Sequence, residues 1–225
     1  MRVLVFFLIT CFCVSGFGQT KTYTKKGESD PKAKVILDKL KKTLDSYNSV
    51  EMRFTLTMEV PKQSPEIQKG ILIQSGKKFQ VKMDQQEVYC DGKTTWIYFK
   101  KNKQVQVTDY DEKAGGAFLS PKQLLNMYDT GNYVYAVLEE RSEKGASIVD
   151  IEFKPLDLKS EFSKMRLTVN KTQNKVVSLR VFSKDGSRYT LQLDSLLENK
   201  KYDAAVFVFN PKAYPGVRLE DLRID

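Results

Sequence analysis

Asp91 to Val107 reads D-G-K-T-T-W-I-Y-F-K-K-N-K-Q-V-Q-V, and the fold is read outward from this stretch. Asp91-Gly92 signals a turn, because glycine accepts positive φ without steric cost. Thr94 to Phe99 is rich in β-branched and aromatic residues and reads as a strand. Lys100 to Lys103 forms a polar tip, and Gln104 to Val107 returns as a second strand. Trp96 and Tyr98 share one face of the first strand, while Ile97 and Phe99 share the other. A strand that is apolar on both faces lies over an apolar interior and is also covered, or used, on its outer side. A lone hairpin cannot bury that much surface. The remaining strands must complete an enclosure around it.

The flanking chain supplies those strands. Val50 to Val60 alternates without a break: Val50, Met52, Phe54, Leu56, Met58 and Val60 are apolar, with polar residues between them. Ile67 to Gln74 and Lys78 to Met83 follow, the latter with Phe79, Val81 and Met83 on one face. Glu87 to Cys90 is short and feeds the opening hairpin. Beyond Gly131, strands are expected at Tyr133 to Glu139, Ala146 to Lys154, Ser163 to Asn170, Val176 to Phe182 and Arg188 to Leu197, with a short last one at Ala205 to Phe209. Asp185-Gly186 marks a hairpin turn. About eleven strands joined by hairpin-like connections make one antiparallel sheet that must curl into a full or partial barrel.

Two helices interrupt this pattern. Asp30-Pro31 starts the first, with Asp as N-cap and Pro at the first helical position. Ala33, Ile36, Leu37, Leu40, Leu44 and Tyr47 form its apolar stripe, and Asn48-Ser49 ends it. Ser120-Pro121 starts the second, which carries Leu124, Leu125, Met127 and Tyr128. The segment before it is acidic, contains Gly115-Gly116, and ends in Phe118 and Leu119. Two readings of this segment stand: a hinged lid, or a packed connection that seals one end of the core.

Composition narrows the function. The chain has 225 residues, 41% hydrophobic and 29% charged, which suits a globular fold with a real core. The net charge of +9 is spread as single and paired lysines, the pattern of a solvated surface rather than a nucleic-acid site. Histidine is absent, which removes Ser-His-Asp and Cys-His catalysis and histidine metal sites. There is no G-x-S-x-G, Walker or dinucleotide motif, so neither an enzyme nor a cofactor is expected. Residues 1–18 read as a cleaved signal peptide: Arg2, an apolar run from Val3 to Val14, then small residues at Gly16 and Gly18. Cys11 and Cys13 leave with it. Cys90 then remains alone, and the exported domain 19–225 must stand on its core without a disulfide.

Several short motifs together resemble the LolA family, the periplasmic carriers of outer-membrane lipoproteins. They are D-G-K-T-T-W-I-Y from Asp91 with Gln104-Val105 after the tip, F-T-L-T from Phe54, and Gly70 with I-L-I. Phe79 to Met83, Ser120-Pro121 with Leu124-Leu125, and F-V-F-N-P from Phe207 with Pro215-Gly216-Val217 complete the match. The resemblance implies a mainly β fold, an unclosed half-barrel of about eleven antiparallel strands covered by two or three helices. It implies an acyl-chain cavity, whose wall is expected from Met52, Phe54, Leu56, Met58, Ile71, Ile73, Phe79, Val81, Met83, Trp96 and Tyr98. It implies a lid carrying Ile36, Leu40, Leu44, Phe118, Leu119, Leu124 and Leu125. Where the family places a basic residue before proline to control its lid, this chain has Ser75-Gly76. Ser75 therefore marks the latch position and Lys77 is the substitute cation, without the forked hydrogen bonds of arginine. The implied role is a soluble, monomeric periplasmic shuttle. Its implied partners are acylated lipoproteins, an inner-membrane lipoprotein-releasing transporter and an outer-membrane acceptor, with Lys100, Lys101 and Lys103 as a docking candidate. The alternative is a lipid- or protein-binding sensor on the same half-barrel.

Overall fold

The computed structural model describes residues 23, 25, 27–111 and 127–223. The expected signal peptide (residues 1–18) and the segment with Phe118, Leu119, Ser120-Pro121, Leu124 and Leu125 lie outside the described residues.

Helix α1 (Pro31–Asp45) begins as its sequence dictates. The Asp30 carboxylate accepts the Lys32 N–H at 2.9 Å, and Pro31 occupies the first turn. It stops at Asp45, before Asn48-Ser49, because Ser46 caps it and donates its hydroxyl to the Thr43 carbonyl. Lys34 and Asp38 form an exposed i,i+4 pair at 2.9 Å, which solvent screens. The apolar stripe carries the helix energetically. Ala33, Leu37, Leu40 and Leu44 are buried, and a fully buried leucine contributes about 1.5–3 kcal/mol.

The strands are β1 (Ser49–Glu59), β2 (Glu66–Ser75), β3 (Lys78–Met83), β4 (Gln86–Cys90), β5 (Thr94–Phe99), β6 (Gln104–Asp109), β7 (Tyr133–Glu143), β8 (Ala146–Pro155), β9 (Phe162–Asn170), β10 (Lys175–Ser183), β11 (Arg188–Glu198) and β12 (Arg218–Asp221). They form one unclosed sheet in the order β12-β6-β5-β4-β3-β2-β1-β11-β10-β9-β8-β7. Sequential hairpins build two meanders, β1–β6 and β7–β11, and the β1–β11 pairing joins them. Glycines at positive φ close turns where the sequence places them, as at Gly186 (φ 89°) after Asp185. Two expectations are corrected. Ala205 to Phe209 is not a strand; Ala204–Phe207 is a 3-10 turn capped by Asp203. The extra strand is β12, and it pairs with β6 in parallel, so the sheet is not wholly antiparallel.

Cross-strand partners share a face, and the register therefore sorts the side chains. The inner face carries α1 over β7–β10: Leu37, Leu40 and Leu44 pack with Val149, Ile151, Leu167, Val169 and Leu179. It continues across β1–β4 as the row Met52, Leu72, Val81, Val88. Leu191 touches both groups and makes the inner face continuous. On the outer face of β4–β6, Tyr89, Tyr98, Val105 and Val107 receive Phe209, with Trp96, Tyr214 and Val217 around them. The two-faced hairpin thus takes its outer cover from the C-terminal segment. Phe209 and Tyr214 stack at 5.0 Å, and Tyr98 lies 4.7 Å from Tyr214.

A buried carboxylate fixes that cover. Glu87 Oε2 accepts the Tyr89 and Tyr214 hydroxyls at 2.6 Å each, and Lys100 Nζ lies 3.1 Å from Oε1. Burial opposes its ionisation, but the Tyr214, Tyr89 and Lys100 hydrogen bonds outweigh burial and hold the carboxyl below its usual range. Lys100 also donates to the Met83 carbonyl at 2.8 Å. One of the three tip lysines is therefore a structural strut.

Two outcomes are expected. The inner-face Phe54 ring lies over its cross-strand partner Gly70, and a Cβ there would stand 2.3 Å from Phe54 Cζ. Gly70→Ala should therefore lower the unfolding free energy by about 1–3 kcal/mol, the usual cost of overpacking, measured by urea titration. Glu87 is bound as the anion, so its contribution is full above its unfolded value of 4.5 and is lost as pH falls through the lower folded value. Glu87→Gln should be less stable than wild type at pH 7 by about 1–2 kcal/mol, and should lose less stability than wild type between pH 5 and pH 3.

Candidate functional site

The expected cavity wall divides between the two faces. Met52, Phe54, Val81 and Met83 are buried in the inner-face cluster, with Leu56 and Phe79 packed against it. Met58 continues their alternation along β1 and pairs with Tyr189. Ile71 and Ile73 lie on the opposite face, because they pair with Arg53 and Glu51. Trp96 and Tyr98 join the outer aromatic cluster under the C-terminal segment. The register thus corrects the single-wall grouping, since these four residues cannot line a space with Phe54. Leu72, Val88 and Ile97 take the inner positions instead.

The lid residues also fall on one particular half. Leu40 and Leu44 are buried against β7–β10, and Ile36 packs beside them. The helix thus lies over the second meander rather than over the Met52–Met83 rows. Asp38 accepts the Tyr128 hydroxyl at 2.9 Å, and Asn174 donates to Thr43 Oγ1 at 2.6 Å. Ser75 and Lys77 sit at the β2–β3 turn, where the Ser75 hydroxyl is 3.5 Å from the Asn48 carbonyl and Lys77 is exposed. Of the expected lid, the part with Phe118, Leu119, Leu124 and Leu125 lies outside the described residues. Cys90 is fully buried, and burial pushes its thiol above the ordinary range, as for an unreactive side chain.

The structure adds a feature that none of these expectations contained. Strands β10 and β11 pair only from Ser178↔Gln192 to Phe182↔Arg188. Beyond that they part. β10 stays with β9 through Val176↔Val169, and β11 stays with β1 through Ser195↔Arg53. Each strand has a register shift at the fork: Val177 falls between the paired residues of β10, and Asp194 between those of β11. Such insertions bend a strand and end local pairing. The fork holds a cavity of about 260 Å³. Leu40, Leu44 and Tyr47 wall one side, and Val176, Val177, Leu193 and Leu196 supply further apolar lining. Asn170, Gln173, Asn174, Lys175, Asp194 and Ser195 are its polar lining. Burial raises the Tyr47 phenol, which therefore stays neutral at physiological pH.

The sequence carried no signal for this fork. Val177, Leu179 and Val181 keep one phase in β10, and Tyr189, Leu191, Leu193 and Leu197 keep one in β11. The adjacent pairs Val176-Val177 and Leu196-Leu197 carry no phase, so the two inserted residues emerge only from the pairing. The arrangement offers an apolar interior, a polar mouth and one cation, Lys175. It suits binding of an amphiphile whose apolar part enters between strands and helix.

Comparison with known proteins agrees with the fold. No curated protein matches the chain. An uncharacterized conserved protein from Thermus thermophilus superposes with a TM-score of 0.55 at 10% identity, covering 84% of this chain and 99% of its own. At that identity the likeness concerns the fold alone. A LolA superfamily protein from Nitrosomonas europaea is 13% identical, with a TM-score of 0.41 and coverage of 79% of this chain and 97% of its own. The family model described as outer membrane lipoprotein carrier protein LolA matches residues 45–210, which span every strand from β1 to β11, and the chain belongs to that family.

Proposed function

We propose that this protein is a periplasmic carrier that holds lipoprotein acyl chains against its inner face and moves them from the inner to the outer membrane. The forked cavity beneath the C-terminal half of α1 is the observation that carries this reading. At about 260 Å³ it lies below the roughly 300–1,000 Å³ of sites that enclose a small-molecule ligand. A cargo of acyl chains therefore enters only as α1 and the fork separate. The inner rows of Met52, Phe54, Leu72 and Val81 extend the apolar surface beyond the fork. Methionine and aromatic side chains adapt to varied apolar partners.

The energetics suit a shuttle. Each buried methylene contributes about 0.8 kcal/mol, so a diacyl or triacyl protein does not leave a bilayer unaided. A releasing transporter at the donor membrane and an acceptor at the target membrane follow from that cost. Leucine contacts hold the C-terminal half of α1 down, with Asn174 donating to Thr43 Oγ1 at 2.6 Å and to the Lys39 carbonyl at 3.3 Å, so opening exchanges one apolar surface for another and breaks these two bonds.

The test is displacement of an apolar fluorescent probe by a diacylated lipopeptide. Wild type should bind the probe and release it to the lipopeptide. Val177→Trp and Leu193→Trp fill the fork and should weaken probe binding at least tenfold, about the effect of two lost methylenes. Trp96→Ala, on the outer face, should keep probe binding. Equal binding by the filled variants and wild type rejects the site.

A further inference from the structure

The outer face of the second meander has a composition that the carrier reading does not use. Two cross-strand rows lie side by side there: Glu152, Arg166, Arg180 and Lys164, Phe182, Arg188. Arg166 and Arg180 are directly opposed. Like charges in that position destabilise a sheet. Lys164, Arg166 and Arg180 all lie over the one Phe182 ring, at 5.1, 5.7 and 5.5 Å. Glu152 accepts from Lys164 at 2.9 Å and from Arg166 at 3.3 Å, and Glu59 pairs with Arg180 at 2.6 Å. Two carboxylates thus face five cations once Lys154 and Arg188 are included, and the patch keeps a net positive charge. Among the described residues, the only buried side-chain nitrogens or oxygens without a hydrogen-bond partner are Arg166 Nε and Arg180 Nε. The protein carries this crowding at a cost in stability.

An exposed apolar side chain borders the same patch. Leu158, at the tip of the β8–β9 loop, is 90% exposed, the most exposed large apolar side chain described. Phe162, by contrast, pairs with Ser183 across a register shift and so leaves the face of Lys164 and Phe182. Lys184 Nζ donates to the Leu158 carbonyl at 2.5 Å, which holds the loop against the β10–β11 turn. An exposed apolar tip beside clustered Lys and Arg matches an anionic bilayer surface: the tip enters the headgroup boundary and the cations meet lipid phosphates.

We propose that this outer face docks on anionic phospholipid membranes. Charge complementarity and the exposed Leu158 select a lipid surface. The patch lies on the opposite face of the sheet from the fork, so it orients the carrier on a membrane without occupying its cavity. The inference does not depend on what the cavity holds.

Vesicle co-sedimentation tests it, using neutral phosphatidylcholine and mixtures with phosphatidylglycerol. Wild type should bind only the anionic vesicles, and less with rising salt. Lys154→Gln with Arg188→Gln should weaken binding about tenfold or more. Leu158→Ser should weaken it severalfold without any change in charge. Lys69→Gln with Lys93→Gln removes the same charge elsewhere, at two exposed lysines, and should change binding less than twofold. Thermal melting establishes that all variants are folded. Equal losses in the two charge-matched variants would mean diffuse attraction and would overturn the proposal. Unchanged binding by Leu158→Ser overturns it too. Competition by inorganic phosphate at constant ionic strength would make the patch a phosphate site and also overturn it.

Discussion

An unclosed sheet of twelve strands with apolar rows on both faces must be covered twice, and the rest of this structure follows from that constraint. The two covers come from the two ends of the described chain. Helix α1 lies on the inner face of β7–β10, and the segment from Val206 to Val217 reaches the outer face of β3–β6. Each cover is anchored at a carboxylate. Asp30 caps α1 and also accepts the Val137 N–H at 3.1 Å, which ties the helix start to edge strand β7. Glu87 collects the Tyr89 and Tyr214 hydroxyls beneath the C-terminal cover. With Cys90 buried and free, apolar burial and these polar anchors hold the described fold.

The covers differ in what they leave open. The outer one is closed by stacked rings and continued by β12 along β6. The inner one ends over a place where the sheet itself divides. Val177 and Asp194, one on each side of the fork, end the β10–β11 ladder while each strand keeps its other neighbour. A division of this kind can widen without unpairing β1 from β11 or β9 from β10. That property links the register to the proposed carrier role: the apolar space can grow while the sheet stays intact.

Much of this was legible in the sequence because alternation in a half-buried strand reports the face directly. Period 2 groups Met52 with Phe54 in β1 and Phe79 with Val81 in β3 on one face of each strand, and capping chemistry sets the Asp30-Pro31 start of α1. Ile71-Leu72-Ile73 defeated the same rule, because three consecutive apolar residues carry no phase. Only the pairing of Gly70 with Phe54 decides that Leu72 faces inward. Trp96 and Tyr98 failed for a related reason. β5 is apolar on both faces, and the choice between them depends on Phe209 and Tyr214, more than a hundred residues away. β12 was missed because all four of its residues are exposed and its pairing is parallel and remote.

The central claim is that apolar cargo enters at the β10–β11 fork, under the C-terminal half of α1. A methyl NMR titration with a diacylated lipopeptide tests it most directly. The methyl signals of Leu40, Leu44, Val177 and Leu193 should shift together and saturate, while those of Val105 and Val107 stay in place. Shifts confined to Val105 and Val107, or no shift at the four cavity residues under saturating lipopeptide, would contradict it.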